Sequence, residues 1–526
     1  MRDFHLPGRS AVFASNGMCA TSTPLASKVA IQLLESGGNA VDAAIGAAVL
    51  LGICEPPMTG IGGDCFVLLK PAGSDEVIAL NGSGRAPAAL QAADIRAAGH
   101  DVMPLGTADA VTIPGAIDAF CKLSKDHGKS GLATSLAPAI HYARAGVPLG
   151  PRTCFDWNAA ESRLQGAARD FYLMNDKAPT AGQVFRAPKQ AEVLEKVALE
   201  GRDGFYSGEV AEDMVTSLNA LGGVHTLEDF EATACEYTTP ISGEYKGMEL
   251  LEHPPNGQGA TAILMNNILS HFDLASLDPM GAMRAHLEAE AAKLAYDARN
   301  RIIADAGFTE RLDHMLAPDT AQALAGLIDP KQAMANPSRV SESVHKDTVC
   351  LTVVDKDLMA VSLIYSVFHS FGSGLASSKF GINFQNRGAG FSLQEGHPNE
   401  AIGGKRPMHT IIPAMLRQNG RVIMPFGVMG GAYQPNGHTR FVTNLVDFGM
   451  HPQAAIDAAR SFSDDGIMTV ERGYSDTVRT ELADMGHKVA IPDTAIGGAQ
   501  AILIDYENGV LQGASDPRKD GCALGY

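Results

Sequence analysis

A threonine with an acid before it opens a run of alternating apolar residues in HKDTVCLTVVDKD, His345–Asp357. A hydroxyl at the mouth of a strand acts as a nucleophile only if a base stands beside it. Without one, Thr348 is an ordinary β-branched strand residue. Two other stretches could do chemistry. VMGG (Val428–Gly431) ends a strand in two glycines, which either make a turn or let backbone N–H groups approach a ligand oxygen unobstructed by Cβ. TGIGGDC (Thr59–Cys65) is glycine-rich enough to cradle a phosphate, but it runs into a strand rather than a helix, so it reads as packing. The eight cysteines are dispersed without a CxxC pair. They indicate neither a zinc site nor a dense disulfide framework, and reduced thiols of a cytoplasmic protein are the expectation.

The elements around these residues belong to a chain of 526 residues, long enough for a large core. Charge is −18, from 59 acids against 41 bases, which argues against a nucleic-acid partner. The most apolar stretch, AVDAAIGAAVLLGIC (Ala40–Cys54), is too short to span a bilayer. It is apolar nearly all round, so a buried helix is expected, with Asn39 as its cap and Gly37-Gly38 ending the helix before it. Mostly helical spacing follows from about Ala88 to Ile328, interrupted by strand-like EYTTPISGEYKGMELLEHPP. The polar segment Gln332–Asp347 reads as exposed and mobile. Beyond it come strands at Val349–Asp355, Met359–Ser366 and Arg421–Gly431, the first two joined by a DKDL turn, and then a helix-like stretch from His438 to Ser461.

Four blocks in order give the chain a family resemblance: GGNAVDAAIGAAVLLGICEPPMTGIGGDCFVLL, DTVCLTVVDKD, GKRPMHTIIPAM and FGVMGGAYQPNGH. Together they resemble the γ-glutamyltransferases, within the N-terminal nucleophile hydrolases. The resemblance implies one α/β (α+β) fold over residues 1–526, a four-layer αββα sandwich with two stacked, mainly antiparallel sheets. It also implies a precursor that cuts itself at Asp347–Thr348. The large piece 1–347 and the small piece 348–526 would remain intertwined, and Thr348 would become the nucleophile. The freed α-amino group, with a reference pKa of about 7.7–8.0, would serve as base. By the same resemblance Gly430 and Gly431 donate N–H groups to the oxyanion, Ser366 faces the nucleophile, and His409 and Thr410 contact substrate. No metal and no organic cofactor is implied.

The chain departs from the glutathione-cleaving members where they grip the glutamyl group. Their carboxylate-binding arginine is replaced by Ser83, with Arg85 two residues on, in SGRAP. In QNRGAGFS, which contributes Asn386 and Arg387 as candidate substrate contacts, Gly390 occupies the slot of the aspartate that holds the α-amino group. Phe368 takes the place of an asparagine two residues after Ser366. Arg85 and Arg387 are the candidate partners for a substrate anion, by bidentate contacts. The pattern is similar to the divergent branch with cephalosporin acylase-like enzymes. Three functions are expected: a γ-glutamyl transferase or hydrolase, an amidohydrolase for a glutaryl or other dicarboxylic acyl group, or a non-processing binding protein of the same fold. The expected partners are a small-molecule amide and the two pieces of the chain, without nucleic acid or membrane; a homo-oligomer is left open.

Overall fold

The computed structural model describes residues 8–334 and 348–526. At its centre two sheets of seven strands each are stacked. In chain order their strands are β1 (Val12–Ala14), β2 (Met18–Thr21), β3 (Asp64–Lys70), β4 (Ile78–Gly82), β5 (Glu236–Thr238), β6 (Ile241–Tyr245), β7 (Met248–Glu252), β8 (Val349–Val354), β9 (Ala360–Ser366), β10 (Pro413–Gln418), β11 (Arg421–Met429), β12 (Gly498–Asp505), β13 (Val510–Ser515) and β14 (Cys522–Gly525). One sheet runs β1-β13-β12-β11-β10-β7-β6 and the other β14-β2-β8-β9-β3-β4-β5. Their pairings are antiparallel. Strands from before and after residue 348 share both sheets.

The alternation in β8 has a use on each face. Val349, Leu351 and Val353 join the core under helices α1 (Pro24–Glu35), α2 (Ala40–Cys54) and α3 (Leu132–Ala145). Cys350 and Val354 face the other sheet. That sheet is covered on its outer side by α4 (Gly259–Leu269), α5 (Ala282–Ile302) and α6 (Gln434–Val446). The layers are therefore helix, sheet, sheet, helix, as the sequence resemblance implies.

Helix α2 is buried along its whole length. Asn39 accepts from the N–H groups of Val41 and Asp42, and Asp42 answers by accepting from Asn39 N. Small residues let its neighbours close in. A Cβ on Gly46 would lie 2.4 Å from Leu33 Cδ1 and 2.9 Å from the Ser135 carbonyl. The β8–β9 turn is tied to the same helix. Asp355 accepts from Asp357 N and Met359 N with one oxygen and from Ala40 N with the other.

The helix expected from His438 to Ser461 is two helices, Gln434–Val446 and Pro452–Asp457. Gly449, at φ +60°, turns the chain between them, and Pro452 starts the second. All eight cysteines are free thiols. No helix among the described residues is long and apolar enough to cross a membrane.

Candidate active site

Thr348 stands immediately before β8 and is buried. It shares the parity of Cys350 and Val354, so its side chain belongs to the face between the sheets. Its Oγ1 lies 3.4 Å from Ser366 Oγ, a long hydroxyl contact. Ser366 ends β9, the strand paired with β8. The bond expected to break has its Asp347 side, with the rest of 335–347, outside the described residues.

The turn after Ser366 is strained and braced. Phe368 has φ +82°, a region bulky residues avoid. This conformation points its N–H at Ser366 Oγ, 2.8 Å away. Asn386 holds the turn: its Oδ1 accepts from His369 N and faces His369 Nδ1, and its Nδ2 donates to the Leu105 carbonyl. The amide expected from the sequence as a substrate contact thus serves to brace the turn. The TGIGGDC loop packs against the same turn, as read from its context. A Cβ on Gly63 would lie 2.4 Å from the Ser366 carbonyl, and one on Gly62 2.1 Å from that of Asn383.

Arg387 is fully buried beside this turn. Its guanidinium lies 4.0 Å from the centroid of the Phe368 ring and donates to Thr410 Oγ1 at 3.0 Å. His409, next in chain, bonds through Nε2 to Asp64 Oδ2 at 3.2 Å. Its Nδ1 accepts from Ile411 N, which leaves the ring proton on Nε2. Burial, reinforced by the Arg387 charge, pushes its pKa down to about 3, so the imidazole is neutral. Asp64 is fully engaged, because its other oxygen accepts from Gly84 N, Gly115 N and Gln385 Nε2.

Two contacts fix how β11 passes beneath β8. Ser362, paired with Thr352, donates to the Phe426 carbonyl. A Cβ on Gly427 would press on Cys350 Sγ. Following both strands from 352 toward 348 and from 426 toward 430 brings Gly430 to Thr348's end of the sandwich. Gly430 and Gly431 have φ of +126° and +56°, which favour glycine. A 3-10 turn at Gly431–Tyr433 leads directly into α6. The Gly431 N–H is therefore a first-turn donor without an acceptor inside the helix.

Gln258 links these parts and is absent from the sequence-based candidates. Its Nε2 donates to the carbonyls of Thr410 and Gly431, and its Oε1 accepts from Arg299. Its only sequence signal is the glycine-rich PNGQG turn just ahead of α4.

Arg85 is not brought to this group. It is half exposed, and its guanidinium bonds to Asp305 at 3.1 Å and to the Gly404 carbonyl. Ser83 is buried and accepts from Asn256 Nδ2. At Gly390 a Cβ would lie 2.7 Å from the Met408 carbonyl oxygen, so a side chain there requires the backbone to shift.

Residues 26–526 match the family described as gamma-glutamyltranspeptidase. The chain is 34% identical to the glutathione hydrolase-like YwrD proenzyme of Bacillus subtilis (strain 168), across 98% of this chain and 99% of that protein. It is 33% identical to the oxamate amidohydrolase proenzyme of Klebsiella pneumoniae, with the same coverage. Among solved structures, the cephalosporin acylase from Bacillus halodurans superposes with a TM-score of 0.92 at 36% identity, covering 100% of this chain and 99% of that one. Fold, motif order and relatives agree along nearly the whole length: the chain belongs to the gamma-glutamyltranspeptidase family of enzymes.

Proposed function

We propose that the protein is a self-processing amide hydrolase or acyltransferase whose nucleophile is Thr348, and that its preferred acyl groups carry a carboxylate but no α-ammonium. In maturation Thr348 Oγ1 attacks the Asp347 carbonyl carbon. The peptide C–N bond breaks, the amide becomes an ester, and water hydrolyses it to leave a free Thr348 α-amino group. The pieces 1–347 and 348–526 stay joined because their strands share both sheets.

In turnover the α-amino group, near pKa 8 in its reference state (about 7.7–8.0), takes the Oγ1 proton as Oγ1 attacks the substrate amide. The Gly430 and Gly431 N–H groups receive the oxyanion, and Ser366 orients the attacking hydroxyl. The proton passes to the departing amine. The acyl–Thr348 ester is then released to water or to an acceptor amine.

The observation that carries the substrate reading is the exchange of charges beside Ser366. Arg387 is buried there against Phe368 and Thr410, while the position of the ammonium-binding aspartate is taken by Gly390. We therefore assign the substrate carboxylate to Arg387 rather than Arg85, with Thr410 and His409 lining the same wall. Similarity to proteins named oxamate amidohydrolase and cephalosporin acylase supports amides beyond γ-glutamyl ones. The eight free thiols support a cytoplasmic location. The test is a panel of matched glutaryl and γ-glutamyl anilides. The proposal expects higher kcat/KM for glutaryl, and a strong preference for γ-glutamyl would overturn the substrate assignment.

A further inference from the structure

We propose that His286, Glu290 and His487 form a binding site for a divalent transition-metal ion of the zinc type. His286 and Glu290 stand about one turn apart on α5 and so share a face. His487 arrives from beyond the helix Asp476–Asp484. The donor atoms of the three residues lie within 4.8 Å of one another, and all three residues are buried. The two cluster residues on α5 lie about 14 Å and about 20 Å along the helix from Arg299, the residue that braces Gln258.

The hydrogen bonds prepare His286 for this role. Its Nε2 lies 2.8 Å from the Asp329 carbonyl, which can only accept, so Nε2 carries the proton and Nδ1 presents a lone pair. Metal-binding histidines use this outer contact to fix tautomer and ring orientation. The Nδ1 lone pair faces His487 Nε2 at 2.8 Å. Moving the His487 proton from Nε2 to Nδ1 leaves two imidazole lone pairs and a carboxylate converging. Two histidines and one carboxylate suit zinc at about 2.0–2.2 Å, with a fourth position left for water.

Lys293 is the built-in competitor. Its Nζ lies 2.7 Å from Glu290 Oε1 and donates to the Met334 carbonyl. The other Glu290 oxygen accepts from Met334 N. A metal ion would take Oε1 and displace the ammonium. The histidines are 201 residues apart in sequence, which hides the set from any spacing rule. His286 and Glu290 precede residue 348 and His487 follows it, so a bound ion would also bridge the two pieces of a processed chain. Binding itself does not need processing, and a Thr348→Ala chain should take up the metal equally.

The experiment is a titration of the full chain with Zn²⁺ in competition with a chromophoric chelator. One equivalent per chain is expected. His286→Gln and His487→Gln should each weaken binding by more than the ~10–100-fold that loss of an outer contact costs. Lys293→Met should tighten it. Absence of a stoichiometric site in the parent, or parent-like binding in both histidine variants, overturns the proposal. The lysine variant tests it independently if the histidine variants fold poorly: weaker binding in Lys293→Met also overturns it.

Discussion

Replacing Arg387 with methionine removes a buried charge while keeping most of the side chain's bulk. The guanidinium contacts the Phe368 ring at 4.0 Å and Thr410 Oγ1 at 3.0 Å. If it also holds a substrate carboxylate, truncating that desolvated pair costs about 2–5 kcal/mol. At about 1.36 kcal/mol per tenfold, this is a loss of roughly 30- to 5,000-fold in kcat/KM. The loss must be specific. Glutaryl p-nitroanilide carries the carboxylate, and valeryl p-nitroanilide has the same chain length without it. Disturbing the Phe368 turn would slow both, because that turn also holds Ser366; losing a carboxylate partner slows only the first. The assay is kcat/KM for both donors in parent and Arg387→Met, with a denaturing gel showing that the variant has matured. The ratio of glutaryl to valeryl should collapse. Equal loss on both donors would make Arg387 a scaffold residue and refute the reasoning.

Gly431→Ala forces a side chain onto φ +56° and disturbs a proposed oxyanion donor; kcat should fall on the order of 10²–10³-fold, and turnover within a few-fold of the parent would remove Gly431 from that role. Gly390→Asp does not restore an ammonium site, since its Cβ would meet the Met408 carbonyl at 2.7 Å. It should lose about 1–3 kcal/mol of stability by overpacking without gaining γ-glutamyl activity, and an unchanged denaturant midpoint would contradict this. His409 is held neutral, its pKa lowered from 6.5 to about 3, so the unfolded chain takes up this proton first as pH falls. Its contribution is complete above pH 6.5 and fades on acidification toward pH 3. His409→Gln should flatten the pH dependence of unfolding free energy by about 1.4 kcal/mol per pH unit well inside that window, and parallel curves for the two proteins would refute the assignment.

The period-2 pattern after Thr348, the apolar helix at Ala40–Cys54 and its Asn39 cap were legible because each is local. The layer order came from the resemblance that the ordered motifs carry, since β8 is buried on both faces and its alternation does not say which face meets the other sheet. Strands β12, β13 and β14 are not singled out by the sequence; β13 and β14 bring the C-terminal segment back beside β1 and β2, a pairing across almost the entire chain. Thr348, Ser366, Arg387 and Thr410 could be named from the sequence, and the fold gathers them around the turn at Phe368. The bracing role of Asn386, the surface ion pair of Arg85 and the linking role of Gln258 were not legible there. Each depends on what lies opposite after folding, as does Gly390, where the Met408 carbonyl would meet any Cβ.

Thr348 is proposed to become the nucleophile by release of its own α-amino group. Intact-mass measurement with N-terminal sequencing of the purified parent and of Thr348→Ala tests it most directly. The parent should give two pieces, the smaller beginning at Thr348, and the variant one uncut, inactive chain. A boundary elsewhere, or cleavage that persists in Thr348→Ala, would contradict it.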